Sequence, residues 1–395
     1  MSYKLASSTW DNKEIQAIHR VIESDNYTMG KKVEECENDF ANFVGSKYAL
    51  MTSSGSTANL LMIASMFYIK DEAKRLKRGD EIIVPAVSWS TTYFPLQQYG
   101  LKVKFVDIDL DTLNIDISKL KEAITDKTKA ILAVNLLGNP NDFNSIFDII
   151  GNKKITLLED NCESLGATLN GKKSGTFGLM GTYSSFFSHH ISTMEGGFVS
   201  TDDEELYHIM LSLRAHGWTR NLPKKNLVTG TKSDDLFEES FKFVLPGYNV
   251  RPLEMSGAIG VEQIKKLPRF LKNRRRNAKK FVKLFSNNSL FKIQKETGLS
   301  SWFGFSFVIK DTKLITRNNL VKILSKYNIE CRPIVTGNFL KNTEVLKHFN
   351  YEVFGSLNNA QYIDENGLFF GNHHYDVTKE LISIKNVLDN IVKRY

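Results

Sequence analysis

The sequence predicts an α/β protein: a large, mostly parallel sheet covered by helices, followed by a smaller C-terminal unit of α+β character. Three observations carry this expectation. Between residues 81 and 214 strand-like and helix-like segments alternate, the order that builds parallel sheets through crossover helices. The strand-like segments are apolar runs, such as Glu81-Ile-Ile-Val-Pro85, rather than strict alternations, as expected of strands buried on both faces. Beyond about residue 260 the pattern changes to one long helix, an alternating strand and further short helices. A chain of 395 residues is long enough for two units, expected at 1–260 and 261–395.

The elements follow in order. Ile15 to Ser24 reads as a helix, Tyr27 to Gly30 as a turn, and Lys31 to Phe43 as a second helix by its spacing. Thr52 to Asn59 is rich in hydroxyls around Gly55 and opens into the apolar helical run Leu60 to Tyr68, a turn entering a helix N-terminus. Strands are expected at Glu81 to Pro85, Val103 to Asp107, Ala130 to Leu136, Ile155 to Leu158, Thr182 to Phe187 and Phe198 to Ser200. Helical patterns lie between several of them, including Ile117 to Ile124 and Leu206 to Arg214. Thr219 to Pro246 mixes Gly, Asn, Asp and Lys with few periodic apolars and reads as a substrate loop or subunit contact. Ile264 to Phe285 reads as a long helix interrupted at Pro268. Trp302 to Ile309 alternates like a strand, Asn318 to Lys326 is helical, and Cys331-Arg332-Pro333 begins an extended piece.

Composition narrows the class. No apolar run approaches the length of a membrane span, and residues Met1 to Trp10 lack the apolar core of a signal peptide, so no membrane partner is expected. Cys36, Cys162 and Cys331 stand far apart, form no CxxC pair, and point to free thiols in a reducing cytoplasm. Three cysteines cannot supply the four ligands of an iron–sulfur cluster within one chain. The formal charge is +8, with a basic run from Lys265 to Lys280. A solvated face of a linking helix is the expected role of that run. A patch steering an anionic small substrate and a nucleic-acid stripe are its alternatives, and no nucleic-acid partner is expected.

Several residues suggest chemistry. Asp160 closes an apolar strand, where α/β sheets present ligands. A carboxylate there can keep a pyridine nitrogen protonated, or simply cap a helix. Ser54-Gly55-Ser56-Thr57 resembles an anion cup at a helix start, and Ser184 could add a hydroxyl to it. Trp89, just beyond Val84-Pro85, could stack on a flat heterocycle or pack in a core. His189 and His190 precede Glu195-Gly196-Gly197. Adjacent side chains rarely share a metal and no partner has ligand spacing, so no metal is expected, and His189 reads as a proton shuttle.

Taken with Glu159-Asp160, Leu213-Arg-Ala-His-Gly217, Gly247-Tyr-Asn-Val-Arg251 and Arg332-Pro333, these pieces resemble the DegT/DnrJ/EryC1 sugar aminotransferases. That family is a branch of the fold-type I, aspartate-aminotransferase-like pyridoxal phosphate enzymes, and the pieces keep its order along nearly the whole chain. The resemblance implies that Asp160 pairs with the cofactor's pyridine nitrogen and Trp89 stacks on its ring. Gly55, Ser56 and Ser184 hold the phosphate, with Glu163 also at the cofactor. Asn249, or alternatively Arg251, completes the phosphate cup from a partner subunit, so a homodimer with composite sites is implied. Arg220, Arg251 and Arg332 are candidate clamps for carboxylate or diphosphate.

Two departures from the family's pattern matter. Its aminotransferases carry Lys where this chain has His189, and many carry Gln where it has Glu163. An imidazole can move protons but cannot hold the aldehyde as a Schiff base. Both departures resemble the 3-dehydratase branch, with pyridoxal or pyridoxamine 5'-phosphate bound non-covalently. The implied reaction removes the C3 hydroxyl of GDP-4-keto-6-deoxy-D-mannose with L-glutamate as amine donor, releasing 2-oxoglutarate and ammonia. The alternatives are a nucleotide-sugar 4-aminotransferase and a CDP-linked 3-dehydratase. The guanine assignment rests on resemblance alone.

Overall fold

The computed structural model describes residues 2–392. Two helices lead in: α1 (Asn12–Glu23), closed by a capping box between Asp11 and Glu14, and α2 (Lys31–Val44), ended by Gly45 in the left-handed region. The large sheet follows, built from β1 (Tyr48–Thr52), β2 (Glu81–Pro85), β3 (Lys102–Val106), β4 (Thr128–Val134), β5 (Thr156–Asp160), β6 (Met180–Ser184) and β7 (Gly197–Thr201). Between them lie α3 (Gly55–Ser65), α4 (Ser90–Gln98), α5 (Ile117–Ala123) and α6 (Phe143–Ile150), and α7 (Glu204–Arg214) follows β7. A later strand, β8 (Tyr351–Val353), joins the far edge and gives the order β1-β7-β6-β5-β4-β2-β3-β8. From β6 to β8 every neighbour is parallel; β7 runs antiparallel to both β6 and β1.

The sheet is covered on both faces, which is why its strands are apolar runs. Ile82 and Val84 of β2 pack with Leu61, Tyr93 and Met210 on one side, whereas Ile83 packs with Ile131, Leu120 and Ile146 on the other. Each such side chain contributes about 1.5–3 kcal/mol when fully buried. The expected strands and helices of this region are all present. The edge strands β1 and β8 were not expected: each is short, and Tyr48-Ala-Leu-Met-Thr52 carries residues as suited to a helix as to a strand.

The long helix corrects another expectation. It runs unbroken from Glu254 to Phe285 (α8), ten residues earlier than expected and straight through Pro268. Proline removes one hydrogen bond and costs about 3 kcal/mol in a helix interior, but Pro268 lies on the exposed face. Buried Ile264, Leu267, Phe270 and Leu271 hold the helix on either side of it. Residue 260 therefore falls inside α8.

The remaining chain includes β9 (Gly304–Ile309), α9 (Arg317–Lys326), α10 (Asn358–Asn366), β10 (Gly367–Gly371) and α11 (Thr378–Val392). Antiparallel β9 and β10, with a short strand at Phe291–Lys292, pack on Phe281 and Phe285 of α8. Phe281 stacks on Phe305 at 4.3 Å.

The basic run on α8 is only partly the solvated face expected. Lys265, Arg269, Lys272, Arg276, Lys279 and Lys280 are exposed. Lys266, Arg274 and Arg275 turn inward: Lys266 meets Asp11 and buried Glu14, and Arg275 donates to the carbonyls of Ser300 and Gly166. Charge alone does not separate the two groups, because it does not show which side of a helix is covered. Among the described residues no helix is long and apolar enough to cross a membrane.

Candidate active site

The carboxyl ends of parallel β2, β4, β5 and β6 point the same way, and the N-terminus of α3 meets them there. A cavity of about 560 Å³ opens at this edge. Its lining brings together Gly55, Ser56, Trp89, Asp160, Glu163, Ser184, His189 and Arg332, eight of the residues expected from sequence.

Asp160 reaches the cavity because it closes β5. Its neighbour Glu159 points to the other side of the strand, as period two demands. There Glu159 accepts backbone N–H groups from Gly175, Phe177 and Gly178 at 2.6–2.7 Å and holds that loop. Burial raises the Glu159 carboxyl above its usual range. Asp160 is buttressed from three sides. Its Oδ2 accepts from Asn59 Nδ2 at 2.9 Å and Thr92 Oγ1 at 2.7 Å, and its Oδ1 from the Cys162 N–H at 3.1 Å.

The turn expected as an anion cup forms the start of α3. Ser54 caps the helix: its Oγ accepts from the Thr57 N–H, and the Thr57 hydroxyl accepts from the Ser54 N–H. The next N–H groups, of Gly55 and Ser56, lie in the first turn and have no acceptor within the helix. A side chain at Gly55 would fill the cup, since its Cβ would stand 2.7 Å from Ser184 Cβ and 3.2 Å from Cys162 Sγ. Ser184 Oγ accepts from the Phe186 N–H, and Ser56 Oγ bonds to Thr91 Oγ1.

His189 stands on the segment between β6 and β7. Its N–H is bonded to Phe186 O at 2.9 Å, and its ring tilts on Phe303 at 5.0 Å and 54°. Nδ1 is buried without a partner among the described residues, which leaves Nε2 as the nitrogen open to the cavity. Burial, then the Arg332 and Arg274 charges, pull the imidazole down to about 3, so it is a free base at neutral pH. His190 points away from the cavity, with Nε2 3.2 Å from Ser301 O. Among the described residues no lysine lines the cavity.

Glu163 accepts from the Leu137 N–H at 3.1 Å and faces Arg332 at 3.8 Å; burial raises its carboxyl although Arg332 opposes the shift. Arg332 lies over the Phe369 ring at 4.4 Å and is bridged to the Phe369 backbone, so its guanidinium is fixed at the cavity wall. Trp89 is 54% exposed at the rim, a large apolar surface free for stacking.

Asn249, Arg251 and Arg220 do not line this cavity. Asn249 is bridged to Ala215, and its Oδ1 accepts from Arg251 Nε at 3.0 Å. Arg251 lies over Trp218, and Arg220 is exposed. Sequence reasoning missed Asn59 and Thr92, the two side chains that hold Asp160. Asn59 left a signal, a buried amide interrupting the apolar run Ala58 to Ala64. Phe303 left none, because it is 114 residues from His189 in the chain.

The residues present fit a phosphate-bearing pyridine aldehyde or amine. The cup that a Cβ at Gly55 would fill suits a phosphate, and buried Asp160 suits a protonated ring nitrogen. His189 lines the same cavity, where among the described residues no lysine stands. Among the described residues no group of three or more His, Cys, Asp or Glu is arranged to hold a metal ion.

Comparison with known proteins gives the same outline. The DegT/DnrJ/EryC1/StrS aminotransferase family matches residues 8–390. The chain is 66% identical over 388 residues to GDP-4-keto-6-deoxy-D-mannose 3-dehydratase of Escherichia coli O55:H7, covering 98% of this chain and 100% of that protein. A solved E. coli structure of that enzyme with bound hydrated PLP superposes with a TM-score of 0.97 over 98% of this chain and 99% of the other, at 66% identity. Another structure of such an enzyme, holding a trapped PLP–glutamate geminal diamine, gives 0.96 at the same identity over 98% and 100% of the two chains.

Proposed function

The chain belongs to the DegT/DnrJ/EryC1/StrS aminotransferase family, and from that premise we propose that it is a 3-dehydratase acting on GDP-4-keto-6-deoxy-D-mannose. It removes the C3 hydroxyl with L-glutamate as amine donor and releases 2-oxoglutarate and ammonia. The observation that carries this reading is a cavity lined by His189 and, among the described residues, by no lysine, in a chain 66% identical to an enzyme of that name.

Pyridoxal or pyridoxamine 5'-phosphate, bound without a covalent link, supplies the amine and the electron sink. The chain's own residues do the rest. Ser56, Ser184 and the first-turn N–H groups of α3 bind the phosphate, while Trp89 stacks on the ring. Asp160, fixed by Asn59, Thr92 and the Cys162 N–H, keeps the ring nitrogen protonated. His189 takes a proton on Nε2 and returns it, and in the free site burial keeps the imidazole unprotonated. Glu163 would border the ring, and Arg332 would take a carboxylate or diphosphate. An amine at position 189 would compete for the aminated sugar and favour a stable amino product; an imidazole does not, which favours loss of the hydroxyl over simple transamination.

The active unit is a homodimer in which Asn249 or Arg251 completes the partner's phosphate cup, and Arg220 and Arg251 serve its substrate. Support comes from their position outside the chain's own cavity. They also lie on a segment whose Phe241 and Phe243 are 72% and 56% exposed. Residues 1–260 and 261–395 act as cofactor-binding and smaller units, with α8 shared between them, and the enzyme works in the cytoplasm. The test is turnover with GDP- and CDP-linked 4-keto-6-deoxy sugars plus glutamate, read by mass spectrometry. A 3-deoxy ketose with ammonia is expected from the GDP sugar; a stable 4-amino sugar would overturn the reading.

A further inference from the structure

Arg274 of α8 is 4% exposed and has no carboxylate partner among the described residues. Its Nη1 donates instead to backbone carbonyls, to Asn372 O at 2.9 Å, Phe303 O at 3.0 Å and Trp302 O at 3.5 Å, and its Nε has no partner among the described residues. Burying a cation with only carbonyls for company is costly, and a packed apolar side chain would serve stability better. What Arg274 holds is a strained turn. Trp302 has φ of +49°, which for a bulky residue costs of order 1–3 kcal/mol. Asn372 Nδ2 also donates to Trp302 O, at 3.0 Å, and the His190 ring meets Ser301 O. The turn delivers Phe303, whose ring is the surface on which His189 tilts.

We propose that Arg274 is a positioning residue for His189, fixing the Ser301–Phe303 turn on which the imidazole rests and standing one residue behind it as an uncompensated cation. The inference rests on the reading of His189 as the proton carrier. The other charged or titratable groups around the imidazole are Arg332, Asp160, Cys162, Glu163 and Glu195 lining the cavity, and His190 behind it. Of these, Arg332 acts in the same direction as Arg274, and both add to the effect of burial on His189. Arg332 faces the ligand space and Glu163, so a bound carboxylate would neutralise it; Arg274 has no such counter-ion among the described residues, and its influence persists when the site is loaded.

The test separates charge from scaffold. Protein labelled with ¹³C at histidine Cε1, with the His189 signal assigned from His189→Asn, is titrated as wild type, Arg274→Lys and Arg274→Met, loaded with cofactor. Loss of the charge in Arg274→Met is expected to raise the His189 midpoint by roughly 0.5–1 pH unit, whereas Arg274→Lys leaves it in place. Lysine offers the carbonyls a point charge instead of a fork, so Arg274→Lys is expected to lower kcat for the glutamate half-reaction severalfold without changing KM. A midpoint unmoved in folded Arg274→Met would overturn the proposal. If neither Arg274→Met nor Arg274→Gln folds, Arg274→Lys decides: a wild-type kcat overturns the proposal, and a lowered kcat at unchanged KM and midpoint supports it. These readouts use no sugar, so they stand even if the enzyme dehydrates a different substrate.

Discussion

Replacing Asp160 by Asn tests the electron-sink assignment most directly, and the structure sets its size. Oδ2 accepts two hydrogen bonds, from Asn59 and Thr92, and Oδ1 accepts one, from the Cys162 N–H. An asparagine must turn its NH₂ toward one of these donors. The cheaper orientation keeps its oxygen on Asn59 and Thr92 and sets the amide against the Cys162 N–H. That leaves a buried donor–donor contact costing about 1–3 kcal/mol. The chemical loss is larger. An amide cannot hold a pyridinium through charge, and one major electrostatic contribution is worth about 10²–10³ in rate. We therefore expect Asp160→Asn to lower Tm modestly, to retain some cofactor, and to convert glutamate to 2-oxoglutarate at least about 10²-fold more slowly. Single-turnover absorbance on variant saturated with cofactor measures this step. A wild-type rate there would refute the pairing of Asp160 with the ring nitrogen.

Three further outcomes are expected. Borohydride should fix no cofactor to the wild-type protein but a stoichiometric adduct to His189→Lys, by intact mass; that variant should lose dehydration, and a native dehydration rate would remove His189 from the proton-transfer role. Gly55→Ala places Cβ 2.7 Å from Ser184 Cβ, an overpacking worth about 1–3 kcal/mol, so phosphate-cofactor affinity should fall at least about tenfold by fluorescence titration; unchanged affinity would mean the cup binds no phosphate. Burial raises the Glu163 carboxyl, so the folded chain holds that proton more tightly than the unfolded one. Stability should therefore fall as pH rises from the ordinary glutamate value through the raised one. Glu163→Gln should flatten that fall in denaturant midpoints measured across the window, and an unchanged slope would contradict it.

The sequence alone determined the buried parallel sheet, because strands covered on both faces must be apolar throughout and helices must separate them. It also showed where that sheet presents chemistry: Asp160 closes an apolar strand, Gly55 sits among hydroxyls at a helix start, and an imidazole stands where the resembling enzymes have an amine. These signals are local, set by period and residue type. What only the tertiary structure decided is non-local. Which of Glu159 and Asp160 reaches the cavity depends on the face β5 turns to it. Asn59 and Thr92 meet Asp160 from two helices, α3 and α4. Pro268 is tolerated because it faces outward on a helix packed along its other side. In the basic run, the identical guanidinium groups of Arg274 and Arg276 end respectively in the interior and in water. Charge and spacing are properties of the chain, but burial belongs to the packed molecule, and burial makes Arg274 a support for His189 while Arg276 remains a surface charge.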